Sequence, residues 1–205
     1  MDNYHYIIAG LPLLILNGEN RSFSYKRLRD EIYNGCSEKD RRLIRWLEFG
    51  SKESNLCARF YRAALSHQNE YIRNYFAMDL QIRNKKVEYV VRESKNNMPE
   101  SAIDTYKVNE AGCPVLNIDD AAELDKIFRT KDILEKEKML DKYKWEKINA
   151  FTLYNYFDIE KILSFLSKAM LIERWERLDT EKGKELFEKL VMEVKGTFKG
   201  VNGVN

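Results

Sequence analysis

Residues 53–92 read ESNLCARFYRAALSHQNEYIRNYFAMDLQIRNKKVEYVVR, a stretch with no proline and no glycine. One stripe through it is Leu56, Phe60, Ala64, His67, Tyr71, Tyr75, Met78 and Ile82, at steps of 4, 4, 3, 4, 4, 3 and 4. Those steps keep a side chain on one face of an α-helix. The other side carries Arg59, Arg62, Gln68 and Asn69. The spacing therefore predicts one long helix from Glu53 to Arg92. At 1.5 Å per residue it would run about 60 Å, so it either bends or makes the molecule elongated. The fold class expected on this basis is all-α, or nearly so: an elongated multi-helix bundle with a short N-terminal extended segment.

Helical signals continue on both sides. The opening YHYIIAGLP, residues 4–12, is β-branched and aromatic before a glycine and a proline, and is read as a short strand or extended segment. A helix is expected from Ser24 to Asn34, ending at Gly35 in a left-handed cap. Ser37 begins SEKD, where its hydroxyl caps free amides and Asp40 occupies the capping-box position. Leu43, Ile44 and Leu47 share a face of that helix, Trp46 lies beside them, and Gly50-Ser51 ends it. Pro99, Gly112 and Pro114 mark residues 94–118 as a connecting loop, with a short helix expected over 102–108. Asp119-Asp120 suit the positive end of a helix over 121–128, and a charged helix follows over 130–150. After an aromatic junction at 151–156, Asp158 opens the most apolar helix, with Ile159, Ile162, Leu163, Leu166, Ala169, Met170 and Trp175 in register. Asp179-Thr180 then cap a last helix over 181–194. The organisation expected is an N-terminal helical half (1–93), a connecting loop (94–118), a C-terminal helical half (119–195) and a disordered tail (196–205).

Composition narrows the function classes. The 205 residues hold 35 Lys/Arg against 33 Asp/Glu, far from the strongly basic balance of most nucleic-acid-binding domains. Within residues 41–95, however, 12 Lys/Arg face 6 Asp/Glu, and a basic face there keeps a nucleic-acid-binding helical domain as a lesser reading. Cys36, Cys57 and Cys113 form no CxxC or metal knuckle and fit unpaired thiols in a reducing cytoplasm. The apolar run at 7–16 lacks a basic flank, is broken by Pro12 and is too short to span a bilayer, so no signal peptide or membrane span is expected. The sequon at Asn20 is then a chance match.

Motifs of catalysis are missing from the chain. It has no G-x-x-x-x-G-K-[ST], no G-x-G-x-x-G, no H-E-x-x-H and no G-x-S-x-G. The two histidines, His5 and His67, are far apart in sequence, and His67 on the apolar stripe is read as a hydrogen-bonded core residue. Glu135/Glu137 and Asp119/Asp120 point to different helix faces and suit capping and solvation better than acid–base work. Glu70, Arg73 and Asn74 form an i, i+3, i+4 set, with Arg83 and Asn84 further along. Facing a partner helix they would form a charge-assisted network that fixes helix register; facing water they would be ordinary surface residues.

The stretch LIERWERLD, residues 171–179, sets Trp175 among four charges. Helical geometry puts Trp175 on the side of Ile172 and Leu178 and turns it inward, as the last core anchor before the final helix. Glu173 and Arg177, four apart, are expected to pair.

Three segments together resemble an uncharacterised family encoded within bacterial V-type ATPase operons. They are YHYIIAGLP, the stretch RFYRAALSHQNEYIRNYFAMDLQIRN over 59–84, and residues 137–183. The last holds Asp141, Trp145, Phe157, Asp158, Lys168, Arg174, Trp175 and Gly183 in the family's order. That family looks like a diverged counterpart of the central-axis subunit called C in archaeal enzymes and d in vacuolar ones. The resemblance implies a helical, non-catalytic subunit without a cofactor that couples the central stalk to the membrane rotor ring during ion transport. Its implied partners are stalk and ring subunits, with no nucleic acid. Its implied location is the cytoplasm, peripheral to the membrane through the complex. The residues so marked as structural or interaction residues are Asp141, Trp145, Asp158, Arg174 and Trp175, beside Glu70, Arg73, Asn74 and Arg83. A helical adaptor or regulator of the ATPase, or of another protein partner, is the alternative.

Overall fold

The computed structural model describes residues 4–16, 24–94, 107–108 and 113–176. Among them the chain is all-α, with no strand. The helices are α1 (His5–Ala9), α2 (Tyr25–Gly35), α3 (Glu38–Gly50), α4 (Ala58–Leu65), α5 (Glu70–Glu93), α6 (Ile118–Arg129), α7 (Ile133–Phe151) and α8 (Ile159–Glu176), with a 3₁₀ turn at Glu53–Asn55. The helix expected at 181–194, the tail at 196–205, Arg177, Gly183 and nearly all of the helix expected at 102–108 lie outside the described residues. Lys107 and Val108 are described and are not helical.

Local chemistry accounts for where the helices begin. Ser24, Ser37, Asn69, Asn117 and Asp132 each accept a hydrogen bond from a backbone N–H in the first turn that follows. At the chain's opening, His5–Ala9 is helical where an extended segment was expected. Gly35 is also not the left-handed cap expected. It stays within α2, and a Cβ on it would fall 2.7 Å from the Ile7 side chain, so the missing side chain admits α1.

The largest correction concerns the long helix. It is two helices that fold back on one another. Phe60 of α4 meets Phe76 of α5 edge-on with ring centroids 4.9 Å apart. In one continuous helix those residues would stand about 24 Å apart. The break falls at Ser66–Asn69. The Asn69 side chain accepts from Ile72 N at 3.1 Å and starts a new helix there. The Arg73 guanidinium donates to the carbonyls of His67 and Gln68, at 2.7 and 2.8 Å, and holds the corner. The apolar stripe continues across the break because both helices turn the same residues inward: Phe60, Ala64, Tyr71, Met78 and Ile82 are all buried.

Two apolar clusters share α5 as a spine. The larger gathers Ile32 of α2, Ile44 and Leu47 of α3, Phe60 of α4, Ile72 and Phe76 of α5, and Ile162, Leu163 and Leu166 of α8. The smaller gathers Met78 and Ile82 of α5 with Leu124, Ile127 and Phe128 of α6 and Tyr143 of α7. The clusters thus do not follow the division at 94–118, because α8 packs against α2, α3 and α5 as well as α7. Each large aliphatic side chain so buried contributes about 1.5–3 kcal/mol. Two buried serines on α8 have partners: the Tyr71 hydroxyl donates to Ser167 at 2.7 Å, and the Thr152 hydroxyl to Ser164 at 3.2 Å.

Gly50 ends α3 where the rings of Phe60 and Phe76 meet, and a Cβ there would lie 2.3 Å from Phe76. Rigid rings from two helices cannot both retreat, so Gly50→Ala is expected to cost about 1–3 kcal/mol in urea unfolding. Gly10→Ala, whose Cβ would meet only ordinary contacts at 3.4 Å and beyond, is expected within about 0.5 kcal/mol of the parent.

Candidate functional site

The polar residues of α7 and α8 meet in one knot. Asp141, on the inner face of α7, is 0% exposed. Its Oδ2 accepts from Arg174 Nη2 at 2.5 Å and from the indole Nε1 of Trp175 at 2.6 Å. Arg174 also reaches Glu137 Oε2 at 2.9 Å, one turn before Asp141 on α7. A carboxylate taken out of water is costly unless its charge is met and its lone pairs are bonded. Here a guanidinium supplies the charge and two N–H groups converge on one oxygen. Asp141 Oδ1 has no hydrogen-bond partner among the described residues, so its pairing runs through Oδ2 alone.

Trp175 differs from the buried anchor expected. It is half-buried, its indole N–H is its hold on the protein, and the Arg174 guanidinium lies 5.5 Å from its ring centroid. On the same pair of helices, Lys168 Nζ sits 5.3 Å over the Trp145 ring and donates to Asn149 Oδ1 at 2.8 Å. Burial and the neighbouring Lys161 lower the Lys168 pKa. Asp158 caps α8: Lys161 N donates to its Oδ1 at 3.2 Å, and Asn155 Nδ2 to its Oδ2 at 2.6 Å. The structure thus brings Asp141, Arg174 and Trp175 together, and sets Trp145 and Asp158 elsewhere along the same helix pair.

The candidates on α5 behave differently. Among the described residues Glu70, Arg73 and Asn74 form no interhelical network. Glu70 is exposed, Asn74 is half-buried, and Arg73 caps the α4–α5 corner. Arg83 donates to Asp79 Oδ2 at 2.8 Å, and the same oxygen accepts from the Tyr61 hydroxyl of α4 at 2.5 Å. Burial and the Asp79 charge raise the Tyr61 pKa, keeping that hydroxyl a donor. Asn84 holds Val108 through two bonds of 3.0 Å.

Sequence reasoning missed two groups. Tyr61–Asp79 joins residues whose approach depends on the corner. The second is at the N-terminus, where the Tyr4 hydroxyl accepts from Ser37 N at 3.2 Å and donates to Asp40. It takes the amide that a capping-box acid would take. Burial and the bond to Asp40 push Tyr4 up to about 12. The aromatic run at 4–6 was the one signal present.

Much of the basic stretch at 41–95 is engaged within the molecule. Arg41 donates to the Tyr33 and Asn34 carbonyls, Arg45 pairs with Glu38, and Lys85 lies 3.1 Å from Asp125. This weakens the nucleic-acid reading. A cleft of about 540 Å³ lies between α5 and residues 107–108 and 113–116, but its Lys85 and Lys107 both pair with Glu88. Among the described residues no group of three His, Cys, Asp or Glu side chains is arranged to hold a metal ion.

A model of proteins of unknown function, DUF2764, matches residues 47–197, most of the chain. The chain belongs to the DUF2764 family. No curated protein and no solved structure matches it. The DUF2764 span takes in α4 to α8, with the whole Asp141 knot. The Tyr4–Asp40 contact falls outside it.

Two outcomes follow for the polar groups. Trp175→Phe keeps a ring and removes the donor to Asp141, and is expected to cost about 1.5 kcal/mol in chemical unfolding; a change near zero would mark Trp175 as a surface residue. At the corner, His67 Nδ1 accepts from Asn69 N at 3.0 Å, and its ring packs edge-on to Trp46. Burial lowers its pKa from the ordinary 6.5. The unfolded chain then takes up the proton first. Stability from neutral His67 is complete above pH 6.5 and is lost as pH falls through the lower folded value. Glu160, raised mainly by burial, has the opposite sign. Urea midpoints of the parent and His67→Asn, compared from pH 7 to pH 5, should therefore show the parent losing more stability.

Proposed function

We propose that this chain is a non-catalytic subunit of a bacterial V-type rotary ATPase, coupling the central stalk to the membrane rotor ring in ion transport. The reading starts from the resemblance of residues 4–12, 59–84 and 137–183 to the family of those operons. One structural observation supports it most. Asp141, Arg174 and Trp175, which carry the resemblance, lock α7 to α8 around a buried carboxylate. A subunit that transmits torque needs helices that do not slide, and a charge-assisted bond between facing helices resists sliding.

Among the described residues no helix is long and apolar enough to cross a membrane. In this reading the chain meets the membrane only through its partner subunits, from the cytoplasmic side, and needs no cofactor. The adaptor reading draws on a different observation, the exposed rings of the turn between α7 and α8.

A tagged full-length chain, purified from cells that make it, is expected to bring down stalk and ring subunits at one copy per enzyme. Substoichiometric recovery would favour the adaptor. An intact, coupled ATPase lacking the chain would refute the subunit reading.

A further inference from the structure

α3 and α4 meet along an aromatic seam. The rings of Trp46 and Phe49, on α3, lie 5.6 and 5.8 Å from the Phe60 ring of α4, and Trp46 also meets His67 edge-on at 5.2 Å. Steps of 4 and 3 put Arg42, Trp46 and Phe49 on one face of α3. The same steps put Arg59, Ala63 and Ser66 on one face of α4, bordering Phe60. Phe49 is 52% exposed, Trp46 is half-buried, and Arg42, Arg59 and Ala63 are exposed. The surface over the seam thus has rings along its middle and an arginine on each helix.

Its charge is one-sided. Residues 38–66 hold seven Lys/Arg against four Asp/Glu, with the buried Asp40 counted among the acids. The other three acids are taken up. Glu48 accepts from Arg29 of α2 at 2.7 and 2.9 Å, and Glu53 lies 3.9 Å from Arg83 of α5. Glu38 pairs with Arg45 at 2.8 Å. Arg42 and Arg59 make no ion pair with a described residue. Glu70, the next acid along the chain, would still leave the surface positive.

Arginine and tryptophan are the residues on which protein interfaces most often depend, and a positive patch meets a negative one. The rings indicate the class of partner. Trp46 is held between Phe60 and His67 and does not stand free as a platform for stacked bases. Phe49 alone of these rings is more than half exposed, whereas an element that enters a bilayer inserts a whole apolar face. A second copy placed face to face would set arginine against arginine. A protein segment with carboxylates for the two arginines and an apolar side chain for the seam satisfies every one of these conditions.

We infer that the α3–α4 seam is a docking surface for an acidic segment of a partner protein, with carboxylates on Arg42 and Arg59 and an apolar side chain against Trp46 and Phe49. The inference does not rest on the rotary-ATPase reading.

The test places the photo-cross-linker benzoylphenylalanine at position 63 of the full-length chain in cells that make it, with position 142, an exposed site on α7, as the control. One protein should attach at 63 and not at 142. Mass spectrometry should place the link in a stretch with an excess of Asp and Glu. Arg42→Glu combined with Arg59→Glu should cut attachment several-fold while the thermal unfolding curve stays unchanged, and Arg42→Lys with Arg59→Lys should keep most of it. In cell extract, high salt should weaken attachment to the parent. Attachment to nucleic acid, to lipid, to a second copy or to a stretch without excess acid would overturn the inference. So would attachment that the charge reversal leaves unchanged, or none above the level at 142. A partner outside the ATPase would uphold this surface and count against the rotary reading. Co-purification with the ATPase but no attachment at 63 would do the reverse.

Discussion

Everything in the arrangement depends on the corner at Ser66–Asn69. Asn69 offers its side chain as a helix cap, and Arg73 supplies donors to the carbonyls left open by the end of α4. With these groups satisfied, the chain reverses. α4 lies back on α5, and the rings of Phe60 and Phe76 meet across Gly50. A straight helix would have left Tyr61 far from Asp79. The corner also frees the second half of α5 to serve as the spine of the smaller cluster with α6 and α7.

The second constraint is electrostatic. Asp141 is fully buried, and a lone carboxylate there would be far more costly than any single apolar contact could offset. Arg174 and Trp175 must therefore come to it, which fixes the rotation and height of α8 against α7. Arg174 is 42% exposed, so part of its hydration is kept while its charge reaches inward. The polar residues of this helix pair act on one another, and the apolar residues of its connecting turn face outward.

Much of this was legible before any coordinates. The helix class, the cap at Ser37 and the inward stripe through Phe60, Ala64, Tyr71, Met78 and Ile82 all follow from local pattern. The break at 66–69 escaped notice because the stripe keeps its period through it, and periodicity cannot distinguish one helix from two that bury the same face. The cap at Asn69 was the available signal, since an asparagine followed by Glu70 is a helix start as well as a helix interior. Trp175 was placed correctly on its helix but judged by face alone, whereas the buried acid it bonds lies 34 residues away. The resemblance put Asp141, Arg174 and Trp175 in one order without indicating that they touch. Pairings such as Tyr61–Asp79 and Tyr4–Asp40 depend on tertiary approach, which no spacing rule encodes.

The central claim is that Asp141 and Arg174 hold helices together rather than hold a partner. A double-mutant cycle of Asp141→Asn and Arg174→Gln, read in urea unfolding and in recovery of bound partners, tests it most directly. The expected result is a coupling of roughly 2 kcal/mol or more between the two sites, each single variant destabilised, and partner recovery falling only as the folded fraction falls. Additive, near-zero stability effects together with lost partner binding would contradict it and make these residues part of a contact surface.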